Sequence, residues 1–289
     1  MAITAAMVKE LRERTGLGMM DCKKALQEAN GDQELAIENL KKSSALKAAK
    51  KAGRTAADGL LGIKVAPDGS RAALVEVNIE TDFAAKNEKF QAFVEKLAGV
   101  FYDADTADVA TVMAGDLEAE RETLVQEIGE NISVRRATQF VSDGGYITSY
   151  LHGDARRGAL VELSAANEEI GKDVAMHVTA MDPMVVKGED VPAETVAKER
   201  EIFVAQAAES GKPPEIVEKM VEGRVRKFLA EISLVDQPFV KDSNTKVGQL
   251  LKSAGVECLR LVRYEVGAGI EKAEEDFAEE VRKQIEGDD

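Results

Sequence analysis

Tryptophan is absent, histidine and cysteine occur twice each, and aromatic residues make up only 4% of the 289-residue chain. Each scarcity excludes something. Cys22 and Cys258 lie far apart and outside any metal or redox spacing, which takes support from both disulfide scaffolds and zinc sites. Two histidines, His152 and His177, leave little from which to assemble a nucleophile, base or metal set, so no cofactor and no covalent chemistry are expected. No apolar run approaches the length that spans a bilayer. The start, Met1-Ala2-Ile3-Thr4, has no signal-peptide pattern, so the expected location is the cytosol. An excess of base is lacking too. The net charge of −15 argues against coating nucleic acid, and no nucleic-acid partner is expected.

What is present is unevenly placed. Residues 1–54 carry 11 Lys+Arg against 7 Asp+Glu, while the remainder carries 27 against 46, and the change near Arg54 reads as a domain boundary. The basic head predicts three short helices. Thr4 is an N-cap for Met7, Val8 and Leu11, Gly16-Leu17-Gly18 is a break, Asn30-Gly31 is a stop, and Asp32 is a second cap. Its exit from Lys41 to Arg54 holds six basic residues and no acid. With no aromatic interleaved, it reads as a solvated helix end or linker before it reads as an RNA site.

An internal repeat follows. Arg71-Ala-Ala-Leu-Val-Glu-Val77 aligns with Arg157-Gly-Ala-Leu-Val-Glu-Leu163, and upstream Leu61, Ile63 and Val65 fall on Ile147, Ser149 and Leu151. Each copy predicts a strand-turn-strand hairpin and then a helix, carrying Phe90, Phe93, Val94 and Leu97 in one and Val174, His177, Val178 and Met181 in the other. The first copy has gained two residues between strand and helix, within Glu80–Asn87. His177 sits where the first copy has Phe93 and reads as a core-edge histidine. His152 falls at a hairpin tip, where exposed residues recognise partners.

Residues 191–232 predict an αα-hairpin with its tip at Ser210-Gly211-Lys212-Pro213-Pro214. A short helix near Val247–Leu251, a strand through Leu259, Leu261 and Arg263, and a last helix carrying Ile270, Phe277, Val281 and Ile285 complete an α+β fold. Asp58-Gly59 and Asp143-Gly144-Gly145 read as turn chemistry. Gly153-Asp-Ala-Arg-Arg-Gly158 has the glycine spacing of a phosphate loop, but Ala159 and Leu160 stand where Lys and Ser/Thr are required. Thr81-Asp82-Phe83 is the best functional candidate, because packing in the second copy does without it. Two readings stand level: a recognition loop, or Phe83 tucked into the core with Asp82 capping the next helix.

The residues Leu11-Arg-Glu-Arg-Thr-Gly-Leu-Gly-Met-Met-Asp-Cys-Lys-Lys24, Thr81-Asp-Phe-Ala-Ala-Lys-Asn87, Ile128-Gly-Glu-Asn131, Ser149-Tyr-Leu-His-Gly153, Gln237-Pro-Phe-Val240 and Val247-Gly-Gln-Leu-Leu251 resemble bacterial elongation factor Ts across nearly the whole chain. That family exchanges guanine nucleotide on elongation factor Tu. The resemblance implies a UBA-like helical head with its linker at 1–54, core subdomains at 55–141 and at 142–182 with 233–267, an inserted coiled-coil-like hairpin at 183–232, and a C-terminal module at 268–289. It implies that Thr81, Asp82, Phe83 and Ala84 form the loop that dislodges magnesium. Met19, Met20, Lys23, Ile128, Gly129, His152 and Val240 are implied as further contacts with elongation factor Tu. The arm either dimerises, in a homodimer or a 2:2 assembly, or simply projects.

Overall fold

The structure is a computed structural model that describes residues 2–208 and 213–271. The expected hairpin tip at 210–212, and all of the last predicted helix beyond Glu271, lie outside the described residues.

Three helices open the chain: α1 (Ala5–Thr15), α2 (Met19–Glu28) and α3 (Gln33–Lys51). The caps fall where the sequence puts them. Thr4 Oγ1 accepts from Met7 N–H at 3.3 Å, Gly16 closes α1 in the left-handed conformation, and Asp32 Oδ1 accepts from Glu34 and Leu35. Val8, Leu11, Cys22, Leu26, Ala36 and Leu40 close a small core between the helices. The basic exit is the last half of α3, and only part of it is solvated. Ser44 and Ala48 are buried, Ala48 in the core of the following unit, and Lys47 pairs with Asp21 at 3.4 Å.

The first repeat runs β1 (Asp58–Val65), β2 (Arg71–Ile79), α4 (Glu88–Asp103), α5 (Val109–Met113), α6 (Asp116–Ile128) and β3 (Ile132–Val141), with the sheet antiparallel in the order β1-β2-β3. Asp58-Gly59 is not a turn. It opens β1, with Gly59 at φ +140° opposite Asn78, where an added Cβ would lie 2.1 Å from the Val77 carbonyl oxygen. Close approach of two backbones, and not reversal of the chain, requires that glycine. The expected turn at Gly144 does form, with φ +89°.

The second repeat runs β4 (Tyr146–Leu151), β5 (Arg157–Leu163) and α7 (Glu168–Met181), then leaves for a pair of helices packed on each other, α8 (Ala193–Ala208) and α9 (Pro214–Ile232). Pro214 starts α9 at a position that needs no N–H. The chain returns through a small hairpin, β6 (Pro238–Phe239) and β7 (Asp242–Lys246), then α10 (Val247–Ser253) and β8 (Cys258–Glu265), which completes the sheet β4-β5-β8. Among the described residues no helix is long and apolar enough to cross a membrane.

Each sheet buries one face under its helix. Phe90, Leu97 and Phe101 of α4 close over the first sheet, and Val174, Ala175 and Val178 of α7 close over the second. A fully buried side chain of this size stabilises by about 1.5–3 kcal/mol, so these faces hold each repeat together. The opposite faces meet each other through Leu61, Leu74, Phe140, Ile147, Leu160 and Tyr264. At that junction Arg136 of β3 lies 4.1 Å from the Tyr264 ring centroid on β8, and Arg260 of β8 lies 4.1 Å from the Phe140 ring centroid on β3. The two stacks are reciprocal, and the same arginines carry buried acids: Arg136 Nε donates to Glu76 at 2.6 Å, Arg260 Nε to Glu162 at 2.5 Å. In both sheets the register shifts just after that glutamate.

Candidate functional site

Between strand and helix the two repeats part. The connection is residues 164–167 in the second copy and 80–87 in the first, four residues longer; β2 also outlasts β5 by two residues, and α7 starts one turn further ahead of its core residues than α4 does, which leaves the net gain of two read from the sequence. An asparagine ends both: Asn87 Oδ1 accepts from Lys89 N–H at 2.9 Å and Asn167 Oδ1 from Ile170 N–H at 3.2 Å. Asn87, not Asp82, is therefore the cap of α4.

Upstream of that cap the first copy makes one tight turn at Ala84–Lys86, with Ala84 and Ala85 buried against the core. Thr81 sets the turn by accepting from Ala84 N–H at 3.1 Å. Its own N–H and hydroxyl donate to the two carboxylate oxygens of Glu130 at 2.9 and 2.8 Å. Next to it Glu80 accepts from Asn131 N–H at 2.5 Å and pairs with Arg54 at 3.7 Å, while Asn131 Nδ2 donates to the Arg54 carbonyl at 2.9 Å. The loop is held at its root by residues 130–131 and by the end of the helical head.

With the alanines turned inward, Phe83 is turned outward and is 81% exposed. The reading that places it in the core is overturned, and so is Asp82 as a cap. Leaving a phenylalanine in water forgoes about 1.5–3 kcal/mol of burial, on a backbone fixed by at least four hydrogen bonds. Asp82 is exposed beside it and pairs with Lys86 at 3.0 Å. Hydrogen bonding and charge from Lys86 hold its carboxyl below the usual carboxylate range, and Arg156 adds to the effect. An anion and an aromatic ring thus stand side by side at the surface.

Gly129 ends α6 with φ +87° and is exposed, and its carbonyl accepts from Lys51 Nζ at 2.5 Å; Ile128 is half-buried against the core. Met19, Met20 and Lys23 share the start of α2 and face out, Met20 being 75% exposed, so the two methionines do not pack the head. The Asp21–Lys47 pair and the reach of Lys51 link α2 through α3 to Gly129, and Glu130 links Gly129 to Thr81. One linked set of residues therefore includes the expected positions of α2, 128–129 and 81–83, while Ala84 is buried beneath it and offers no surface.

His152 sits in the β4–β5 turn with Nδ1 3.0 Å from Asp154 Oδ1. That turn packs on the first repeat: Leu61 N–H donates to the Ala155 carbonyl at 2.8 Å, and Arg156 pairs with Asp58. Val240 is elsewhere, at the β6–β7 hairpin, where its N–H donates to His177 Nδ1 at 3.1 Å. His177 is fully buried, with Nε2 2.8 Å from Gln237 Oε1. A ring that accepts from a backbone N–H at one nitrogen and faces an amide oxygen with the other is the neutral tautomer. Burial lowers its pKa accordingly. Among the described residues no group of three His, Cys, Asp or Glu side chains could hold a metal ion, and burial pushes the Cys258 thiol up to about 12.

Glu80, Glu130, Asn131 and Lys51 lie in segments that the sequence marks, but the sequence gives none of them a role as a brace. Glu80 opens the segment that the second repeat lacks, and Gly129 has the signature of a helix stop, which together mark where a loop and its brace meet.

Residues 80–268 match the family described as Elongation factor TS. Over nearly the whole chain the sequence is 58% identical to Elongation factor Ts of Hahella chejuensis, across 286 residues that cover 99% of each. It is 57% identical to Elongation factor Ts of Marinobacter nauticus across 280 residues, 97% of this chain and 96% of the relative. It is 54% identical to Elongation factor Ts of Saccharophagus degradans across 285 residues, 99% and 98%.

Proposed function

The chain belongs to the elongation factor Ts family, and from that premise we propose that it is a guanine-nucleotide exchange factor for elongation factor Tu, acting in the cytoplasm during translation elongation. The physical basis is linkage. A factor that binds nucleotide-free Tu more tightly than GDP-bound Tu must weaken GDP by the same factor. The observation that carries the reading is Phe83, fully presented on a braced loop with Asp82 beside it.

In this reading the 81–84 loop enters beside the partner's magnesium site. A bound magnesium ion and oriented backbone N–H groups are what hold a diphosphate, so a wedge that displaces them releases it. Phe83 supplies the apolar wedge and Asp82 a charge that opposes the phosphates' return. Ile128 and Gly129 flank the entry, Met19, Met20 and Lys23 extend it along α2, and His152 and Val240 contact other parts of Tu. The head, the two repeats, the α8–α9 arm and the C-terminal module act as the separate units that the family resemblance implies.

The test is release of fluorescent GDP from elongation factor Tu, with magnesium present, as this protein is titrated in. A large, saturable acceleration is expected. A buried aromatic hot spot carries about 2 kcal/mol, so Phe83→Ala lowers the acceleration at limiting factor roughly thirtyfold. Unchanged release at any concentration of folded protein would refute exchange activity, and unchanged acceleration by Phe83→Ala would refute only the role of the loop.

A further inference from the structure

A buried histidine stands against the hairpin that carries Val240. Phe239 pairs with Asp242 across β6 and β7, so Val240 and Lys241 make a two-residue turn. Neither has a positive φ, and such a turn lacks the twist that suits two paired strands. β6 is only two residues long, and its register shifts between Pro238 and Phe239. A hairpin this short is not stable by its own pairing, so its shape is set from outside.

Three contacts with α7 set it. The buried Phe239 ring has its centroid 6.0 Å from that of His177, Lys241 Nζ donates to Asp173 Oδ1, and Val240 N–H donates to His177 Nδ1 at 3.1 Å. The Val240 side chain, between two pinned neighbours, is 43% exposed.

The direction of the bond to His177 is fixed further back. Gln237 is buried, and its Nε2 donates to the Glu231 carbonyl at 2.7 Å and the Met181 carbonyl at 3.5 Å, in the last turns of α9 and α7 where carbonyls lack helical partners. With the amide nitrogen so engaged, Oε1 is the atom that faces His177 Nε2 at 2.8 Å, and an amide oxygen only accepts. The proton therefore sits on Nε2, and Nδ1 keeps the lone pair that Val240 N–H needs. The ends of two helices dictate the tautomer, and the tautomer dictates where the turn sits. The first repeat has Phe93 at the matching place and no such hairpin between its helix and its third strand.

We propose that His177 is a positioning residue, which holds Val240 outward for contact with elongation factor Tu. This rests on the exchange reading above and adds to it a residue that itself touches no partner.

Two substitutions separate the two bonds. An asparagine places its Oδ1 near the site of Nδ1 and so accepts from Val240 N–H, whereas a glutamine reaches the site of Nε2 and donates to Gln237 instead. Each leaves one partner unmatched, so both lose stability and comparing them removes that loss. Hydrogen exchange at the Val240 amide, read without Tu, rises roughly tenfold in His177→Gln and stays near native in His177→Asn. In GDP release from Tu, His177→Gln raises the half-saturating concentration roughly fivefold at an unchanged plateau, and His177→Asn does not. Adding His177→Gln to Val240→Ala raises it no further than Val240→Ala alone, because the histidine acts through Val240. Equal behaviour of the two His177 variants in either measurement would overturn the positioning role. A native protein that leaves release unaccelerated would instead refute the exchange reading, with the Val240 amide still deciding whether His177 sets the turn.

Discussion

The two repeats are a controlled comparison within one molecule. They share the Arg-x-Ala-Leu-Val-Glu strand, the register shift after its glutamate, the arginine on the third strand and the asparagine cap of the following helix. They differ where nothing in the scaffold demands it: a four-residue connection in one, an eight-residue braced loop with an outward phenylalanine in the other. What both copies keep is packing. What one adds is available for recognition, and a polar pin, His177 to Gln237, replaces the packed Phe93 in the copy that carries the arm.

The largest expected effect breaks the shared part. Glu76 is fully buried and accepts from Arg135, Arg136, Asn78 and Gly267, whereas among the described residues Glu162 accepts from Arg260 and Ser142. Burial pushes the Glu76 carboxyl up, but the Gly267 N–H, Arg136 and Asn78 together outweigh it and leave the carboxyl below its ordinary value. Breaking a buried ion pair costs about 3–5 kcal/mol, so Glu76→Gln falls near 3 and Glu162→Gln near 2 in urea unfolding. Equal losses would mean that the extra partners of Glu76 contribute nothing.

Next, the difference itself can be removed. Replacing residues 80–87 by Ser164-Ala-Ala-Asn167 makes the first copy like the second. Circular dichroism should keep its native form, while exchange on elongation factor Tu falls by at least the roughly thirtyfold expected for Phe83→Ala. The polar pin supplies a smaller effect. His177→Phe copies the first repeat but leaves Gln237 Oε1 and Val240 N–H without their partner, at a cost of about 1–3 kcal/mol in thermal or urea unfolding.

The smallest effect is on pH dependence. The ordinary histidine value is 6.5, and His177 in the folded protein lies below it. As pH falls through that value the unfolded chain takes up a proton that the folded chain refuses, so stability falls with it; above that value the residue contributes no slope. Comparing urea midpoints at pH about 7.5 and about 5.5, the native protein should lose more than His177→Phe does. An identical loss would show that His177 is protonated without penalty.

Local chemistry made much of the fold legible. Thr4, Gly16, Asn30-Gly31 and Asp32 bound the head helices as read, and the repeated hairpins, α10 and β8 fall where periodicity places them. β3 was not read, because Ser133-Val-Arg-Arg-Ala-Thr-Gln139 has no clean alternation. Its two arginines are half-buried there because Glu76 accepts from both and the Tyr264 ring lies against Arg136. Asp58-Gly59 misled for a related reason: the constraint on Gly59 comes from Val77 across the sheet, and a local pattern cannot contain it. In the site, composition left Phe83 between core and surface. The decision was made by Thr81, Glu130 and the inward alanines, which act together only once β2 and α6 end side by side.

The arm's position in the chain sets an order of assembly. The first sheet is contiguous, closed by the time synthesis reaches Val141. The second has its first two strands made by Leu163 but waits for Cys258–Glu265, beyond both arm helices. During synthesis β5 is therefore an exposed edge for the whole time the arm is being made, and long-range pairing of this kind is slow to close. The completed first repeat offers β4 and β5 a surface to rest on in that interval, through Leu61, Ile147 and Leu160. The older half of the chain thereby serves the younger as a template until the last strand arrives.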